Sequence, residues 1–365
     1  MPLLKWQEMR WCSTRARWLM AVAALGLLLA APGHGAARQA RGGGLTAVAG
    51  ITVGHHTLAE RPTGCTVVLV TGGAVGGGEV RGAAPGTREF VLLDPVNTIQ
   101  QIHGIVLAGG SAFGLAAAQG TQRFLEERGI GYDTGDARIP IVPSAVLYDL
   151  GVGGRPDIRP TEDCGYRAAE AATADPVVEG NVGAGAGATV GKLLGRERAM
   201  KAGIGSAAIR TPEGLVVAAL VVVNAVGDII DPATGEVVAG ARTADGQGLI
   251  DVRTLLRQGS LPGRSRPGRN TTLAVVATNA RLDKAQVNKV AQMAHDGLAR
   301  AIYPVHTPVD GDAVFSLATG SFDGTSNLLV IGALAAEVLA QAILRAAQTA
   351  EGIPGFPAAR DLARR

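Results

Sequence analysis

The chain has 365 residues, with 34 Lys and Arg against 31 Asp and Glu and a formal net charge of +3. Hydrophobic residues make up 47%, aromatic residues only 4%, and there are 52 Gly, so strands and helices must pack closely through small side chains. The whole charge excess lies in the first 37 residues, where Lys5, Arg10, Arg15 and Arg17 face the single acid Glu8. The remainder is near neutral, which argues against a nucleic-acid-binding face.

In that first segment the basic residues precede an apolar run at 18–31, and small residues around Gly35, Ala36 and Ala37 offer a cleavage site. The run is short for a membrane span. No Cys stands just after it and no Arg-Arg pair precedes it, which disfavours a lipoprotein anchor and twin-arginine export. The expectation is a signal peptide at 1–37, an uncleaved anchor being the alternative, and a periplasmic or secreted mature protein with no stable membrane span. Cys12 leaves with the signal. Cys65 and Cys164 have no local spacing that brings them together, so they read as two separate buried thiols, with a disulfide as the alternative. His55 and His56 read as part of a turn. No Cys/His spacing suggests a metal site, and no cofactor is expected.

Strands are expected at 45–53 and 65–70, followed by a Gly-rich stretch from Gly72 to Gly86. A strand at 104–108 leads through Gly109 and Gly110 into a helix at 115–127. Further strands are read at 139–142, 146–149 and 215–223, with a helix at 167–174. Two partial motifs fail. Ala186 stands where a phosphate-binding loop needs its first Gly, and Leu193 where it needs Ser or Thr. Phe113 breaks the nucleophile-elbow pattern around Ser111.

Residues 257–269 are rich in Arg, Gly, Ser and Pro and read as an exposed loop, whereas 272–278 is a β-branched, apolar strand. Asn270-Thr271-Thr272 stands at the seam. Breakage of the Asn270–Thr271 bond would give Thr271 both a hydroxyl nucleophile and its own amine base. The same tripeptide is also an N-glycosylation sequon. Beyond it, Asp283 caps an amphipathic helix carrying Val287, Val290, Ala294, Leu298 and Ala301. Asp310-Gly311-Asp312 turns into a strand at 313–318, a long helix spans 327–349, and 352–365 reads as a frayed tail. There is no βαβ rhythm, which suggests layered α/β packing around a pair of sheets.

Four segments in this order resemble the L-aminopeptidase/D-esterase (DmpA-type) family: Arg81-Gly-Ala-Ala-Pro-Gly-Thr-Arg88, Val106-Leu-Ala-Gly-Gly-Ser-Ala-Phe-Gly114, Ile141-Val-Pro-Ser-Ala-Val-Leu-Tyr-Asp149 and Asn270-Thr271-Thr272. The resemblance covers about 44–349, and relatives of the family include β-peptidyl aminopeptidases and nylon-oligomer hydrolases. It implies a four-layer αββα sandwich of the DmpA/ornithine acetyltransferase type. It also implies a precursor that cuts itself into fragments 38–270 and 271–365, which stay together as one catalytic domain and assemble as tetramers or larger.

Carried over by residue, the resemblance makes Thr271 the nucleophile and Asp310 and Asp312 the pair that orients its hydroxyl and amine. Lys192 becomes a lysine near the nucleophile, and Asn224 and Tyr148 become donors to the substrate carbonyl oxygen. Taken singly, each has an ordinary reading: a turn, a solvated lysine, a strand-end cap and a core aromatic. The implied activity is hydrolysis of small peptides or amides from their N-terminus. The Asn-Thr junction and the acidic pair side with the oligoamide-hydrolase branch, so endo-hydrolysis of linear oligoamides stands as the alternative. An ornithine acetyltransferase-like acyltransferase is a rival that lacks support from the signal segment and the junction sequence, and an uncleaved binding protein is another.

Overall fold

The computed structural model describes residues 43–259 and 268–362. The expected signal peptide, its cleavage site and residues 260–267 of the expected loop lie outside them. One nine-stranded sheet dominates the order of elements. Its principal strands are β1 (Thr52–Thr57), β2 (Gly64–Val80), β3 (Gln101–Ala108), β4 (Ser144–Val146), β5 (Ile204–Arg210), β6 (Val216–Asn224), β7 (Thr271–Thr278) and β8 (Ala313–Ala318). They lie in the order β5-β6-β7-β8-β2-β3-β4, with two-residue Thr87–Arg88 at the far edge and β1 paired to β2. Four helices cover it: α1 (Ala117–Glu126), α2 (Glu162–Glu170), α3 (Lys284–Ala301) and α4 (Leu328–Gln348).

The sheet is folded over at β2, which runs 17 residues. Its first part pairs with β3 through Cys65–Leu69 and its last part pairs with β8 through Val75–Val80, with an irregularity between Leu69 and Ala74. The alternation of side chains along a strand then sorts the residues into layers. Cys65, Val67 and Leu69 pack with Val106 and Ala108 under α1 and α2. Val68, Val70, Ile105 and Leu107 face the other way, against Leu273, Val275, Ala277, Phe315 and Leu317. Ala274, Val276 and Val314 form the opposite face of that half-sheet and pack against α3 and α4. Helices, sheet, sheet and helices give the four-layer αββα sandwich that the resemblance implied.

Local chemistry explains the helices that hold the site side of the sandwich. The Asp283 side chain accepts from Gln286 N–H while the Gln286 side chain accepts from Asp283 N–H, a reciprocal cap that fixes the start of α3. Asn327 caps α4 through Leu329 and Val330 N–H. By length and hydropathy α4 could cross a membrane, but half of its apolar window is buried and Ile331, Ala335, Val338 and Leu339 sit in the core.

Several expectations need correction. Cys65 and Cys164 form a disulfide that joins β2 to α2, with Cα atoms 6.2 Å apart across 99 residues. That proximity is created by the packing of α2 on the sheet and has no local sequence signature. Residues 45–53 form a 3-10 turn at Gly44–Ala47 before β1 begins at Thr52, and His55 and His56 lie in β1 rather than a turn. The Gly-rich stretch is largely strand. A Cβ on Gly77 would come within 2.8 Å of Asn288 N, so glycine there lets α3 lie against the sheet. The strands read at 139–142 and 146–149 are replaced by short pairs at Arg138–Ile139 and Ser144–Val146, and the helix read at 167–174 begins at Glu162. Strand β5 was not anticipated. The described part of the expected frayed tail, 352–362, is tied down: Lys201 N–H donates to Pro357 O, Asp361 caps Ala358 N–H, and Phe356 is buried.

Candidate active site

Three strand ends meet at Thr271. In the antiparallel pairing of β6 and β7, Asn224 lies opposite Thr271. In the parallel pairing of β7 and β8, Leu273 lies opposite Ala313, so the Asp310–Asp312 turn arrives beside the start of β7. A bridge between Asn270 and Asp310 closes the arrangement. Asn270, Thr271, Asp310, Asp312 and Asn224 are all at most 3% exposed.

The Asn270–Thr271 peptide is held on every side. Its carbonyl oxygen accepts Gly311 N–H at 2.9 Å and the Thr271 hydroxyl at 2.5 Å. The Asn270 side-chain amide donates to Val309 O. One residue upstream, Arg269 O accepts from Lys192 Nζ at 3.3 Å and from Asn224 Nδ2 at 3.5 Å, and the Arg269 guanidinium lies 5.5 Å from the Tyr148 ring centre. A hydroxyl, a carbonyl and a main-chain N–H donor thus share one point.

Asn224 and Lys192 form a single donor unit. Lys192 Nζ donates to Asn224 O at 2.7 Å and Asn224 Oδ1 at 2.9 Å. Thr189 N–H donates to the same Oδ1, which turns Nδ2 toward Tyr148 O and Arg269 O. All three Lys192 contacts are acceptors, the pattern of an ammonium. Burial nonetheless pushes Lys192 down to about 7, opposed by the charges of Asp310 and Asp312. Tyr148 joins this group through its main-chain carbonyl, and it lines a cleft of about 330 Å³ together with Thr189, Lys192, Arg196, Arg269 and Asn270.

The two acidic residues differ. Asp312 Oδ1 accepts Thr272 N–H at 2.7 Å, and its Oδ2 accepts His306 N–H at 3.0 Å and meets His306 Nδ1 at 2.9 Å. Asp310 Oδ2 accepts from Thr307 N–H and from the Thr307 hydroxyl, while its Oδ1 is buried with no partner among the described residues. Burial raises the Asp310 pKa, and the Asp312 charge raises it further. The Arg81–Arg88 segment clamps this turn from outside: Arg81 and Gly82 N–H donate to Asp312 O, and Ala84 N–H to Asp310 O. A Cβ on Gly82 would stand 2.3 Å from Asp312 N, so only glycine fits.

All six residues implied by the resemblance therefore converge, with Tyr148 at the edge. Gly311, His306, His295 and Thr307 were not singled out. His306 and Thr307 stand in the same short segment as the acidic pair, and His306 adopts φ +55°, a conformation that no local sequence pattern announces. Among the described residues no group of three or more His, Cys, Asp or Glu is arranged to hold a metal ion.

The chain is similar to known proteins in sequence and in fold. The sequence profile of peptidase family S58 matches residues 44–360. A Mycobacterium tuberculosis protein named an uncharacterized aminopeptidase is 41% identical over 345 residues, covering 87% of this chain and 97% of its own length. A 6-aminohexanoate-oligomer endohydrolase of Kocuria sp. is 33% identical, covering 82% of this chain and 84% of its own. In three dimensions the chain is similar to a Burkholderia sp. beta-aminopeptidase, with TM-score 0.63, 22% identity and coverage of 90% and 96%. It is likewise similar to the L-aminopeptidase D-Ala-esterase/amidase of Ochrobactrum anthropi, a protein described as a variant of the Ntn-hydrolase fold, with TM-score 0.64, 20% identity and coverage of 88% and 92%. The chain belongs to peptidase family S58 and is a hydrolase of peptide or amide bonds.

Proposed function

We propose that the protein is a self-processing amide hydrolase that cuts its own Asn270–Thr271 bond and then uses Thr271 as nucleophile on small peptides or amides. The observation that carries this reading is the shared position of the Thr271 hydroxyl and Gly311 N–H on Asn270 O. In the first step Thr271 Oγ bonds to the Asn270 carbonyl carbon, and Gly311 N–H donates to the oxyanion. The C–N bond then breaks, and the proton lost by Oγ ends on the departing Thr271 nitrogen. Water hydrolyses the ester, leaving an Asn270 carboxylate and a free Thr271 amine.

That amine titrates near about 7.7 in an unperturbed chain, so it can take the hydroxyl proton in later turnovers. Release of Asn270 frees Lys192 Nζ and Asn224 Nδ2 from Arg269 O and leaves them as donors for a substrate carbonyl oxygen. Tyr148 borders the same cleft. The substrate's acyl carbon then forms an ester with Oγ, its amine leaves with a proton, and water restores the hydroxyl. On this reading the chain is exported by its N-terminal segment, its two fragments remain one αβ unit, and such units assemble further.

Exo-cleavage of short peptides is the first reading, consistent with the aminopeptidase-named relatives. Endo-cleavage of oligoamides is the second, favoured by the Asn-Thr junction and the Asp310/Asp312 pair. A panel of L-, D- and β-aminoacyl amides beside linear oligoamides distinguishes them. Acid-quenching the enzyme during turnover should leave the acyl group on Thr271, located by mass spectrometry, and Thr271→Ala should stay uncut and inactive. An acyl adduct elsewhere, or an active Thr271→Ala, would overturn the proposal.

A further inference from the structure

A line of polar contacts leaves the acidic turn through residues that do not line the cleft. Beyond Asp312 Oδ2 and His306 Nδ1, His306 Nε2 stands 3.3 Å from His295 Nδ1. The two rings meet edge to face with centres 4.7 Å apart. His295 Nε2 then stands 3.1 Å from Glu79 O. His295 is fully buried on α3, and His306 is held at φ +55° between them. A non-glycine residue in that conformation persists where its surroundings over-determine it.

Counting protons along this line fixes the ionisation. Glu79 O can only accept, so His295 Nε2 carries a proton. Burial lowers His295 to about 4, which keeps it neutral and leaves Nδ1 a bare lone pair. That lone pair calls for a donor, so His306 Nε2 carries a proton too. The remaining gap, between His306 Nδ1 and the Asp312 carboxylate, needs a third. Two neutral imidazoles supply only two.

We propose that His306 and Asp312 share this third proton, as an imidazolium–carboxylate pair, and that His306 is thereby a positioning residue for Thr271. The role rests on the nucleophile reading above; the proton count does not. Through Asp312 Oδ1 and Thr272 N–H the pair pins the first residues of β7. It also balances the Asp312 charge inside a turn that holds Asp310. The other charged groups around it are Lys192 across the turn and Arg81, which pairs at the surface with Glu79 and Asp296. Asp310, with its unpartnered Oδ1, is then the carboxylate free to accept from Thr271 or its amine.

Loss of the shared proton would leave two like charges in one buried turn, raising Asp310 further. Activity that needs ionised Asp310 would then appear only at higher pH. His306→Asn tolerates a positive φ but cannot carry the proton. We expect it to fold and process, to lose up to about 10²-fold in kcat with KM unchanged, and to show its acid limb displaced to higher pH. The direct readout is ¹⁵N NMR of the histidine rings in Thr271→Ala precursor at pH 7, where no catalysis is required. Protonation of both His306 nitrogens, with a neutral Nε2–H His295, supports the proposal. A neutral His306, or a folded His306→Asn with the parent pH profile and rate, overturns it. Should Thr271→Ala prove active, the hydrolase mechanism fails while the NMR result still decides the proton count.

Discussion

Two lysines, nine residues apart in sequence, are both pushed down to about 7 by burial, yet they serve different parts of the molecule. Lys201 is fully buried and donates to Gly185 O and Ala202 O, carbonyls that belong permanently to the fold. Lys192 borders the cleft, and one of its three acceptors is Arg269 O, one residue before the Asn270–Thr271 bond that we propose is cut. The same contrast separates the carboxylates. Asp149 is saturated by Arg61, Thr63 and Gly110 N–H, whereas Asp310 keeps a buried oxygen without a partner. A perturbed pKa marks burial; a partner that chemistry can remove, or an oxygen left unpaired, marks a working site.

The sharpest way to break that distinction is to disrupt the saturated centre. Arg61→Leu strands Asp149 in the core, and removing one partner of a buried pair costs about 3–5 kcal/mol. Denaturant unfolding should show that loss, while the enzyme that remains folded keeps its kcat. A low kcat with unchanged stability would move Asp149 into the catalytic group. Asn224→Ala should weigh on activity instead, lowering kcat by roughly 10²–10³ with little change in KM, and costing less stability than Arg61→Leu, about 1–3 kcal/mol for the donors left unpaired.

Lys201→Met sharpens the comparison through pH. Because the folded-state pKa of Lys201 lies near 7 and the ordinary value near 10.5, the unfolded chain binds a proton that the folded one does not between those values. Stability from this lysine therefore rises with pH across that window and is least below it. The parent should gain stability relative to Lys201→Met as pH goes from 7 toward 10, with activity unaltered in the variant. A constant difference across that range would contradict the burial argument. The smallest expected effect is that of a chelator, which should leave turnover unchanged; loss restored by zinc would introduce a metal that the described donor groups do not provide for.

How much of this was legible follows from the range of each interaction. The seam at Asn270-Thr271, the Asp283 cap of α3 and the long apolar α4 rest on neighbouring residues, so they could be read directly. The layer order came from the resemblance, because only pairing across the chain reveals that β2 serves two half-sheets. The Cys65–Cys164 disulfide, the strand character of Gly76–Gly78 and the His295–His306 contact each depend on helices docking from far along the sequence. The resemblance named six candidate residues in order, and the structure brings them near one another. The different partners of the two acids, with Asp312 on Thr272 N–H and Asp310 Oδ1 left open, required the coordinates of the turn.

The central claim is that the Asn270–Thr271 bond, held between Gly311 N–H and its own threonine hydroxyl, is the one the protein cuts to become active. N-terminal sequencing and mass analysis of the purified, active enzyme test it most directly. The account predicts two chains that remain associated, the smaller beginning Thr-Thr-Leu-Ala-Val. A single intact chain with full activity, or a smaller chain with any other first residue, would contradict it.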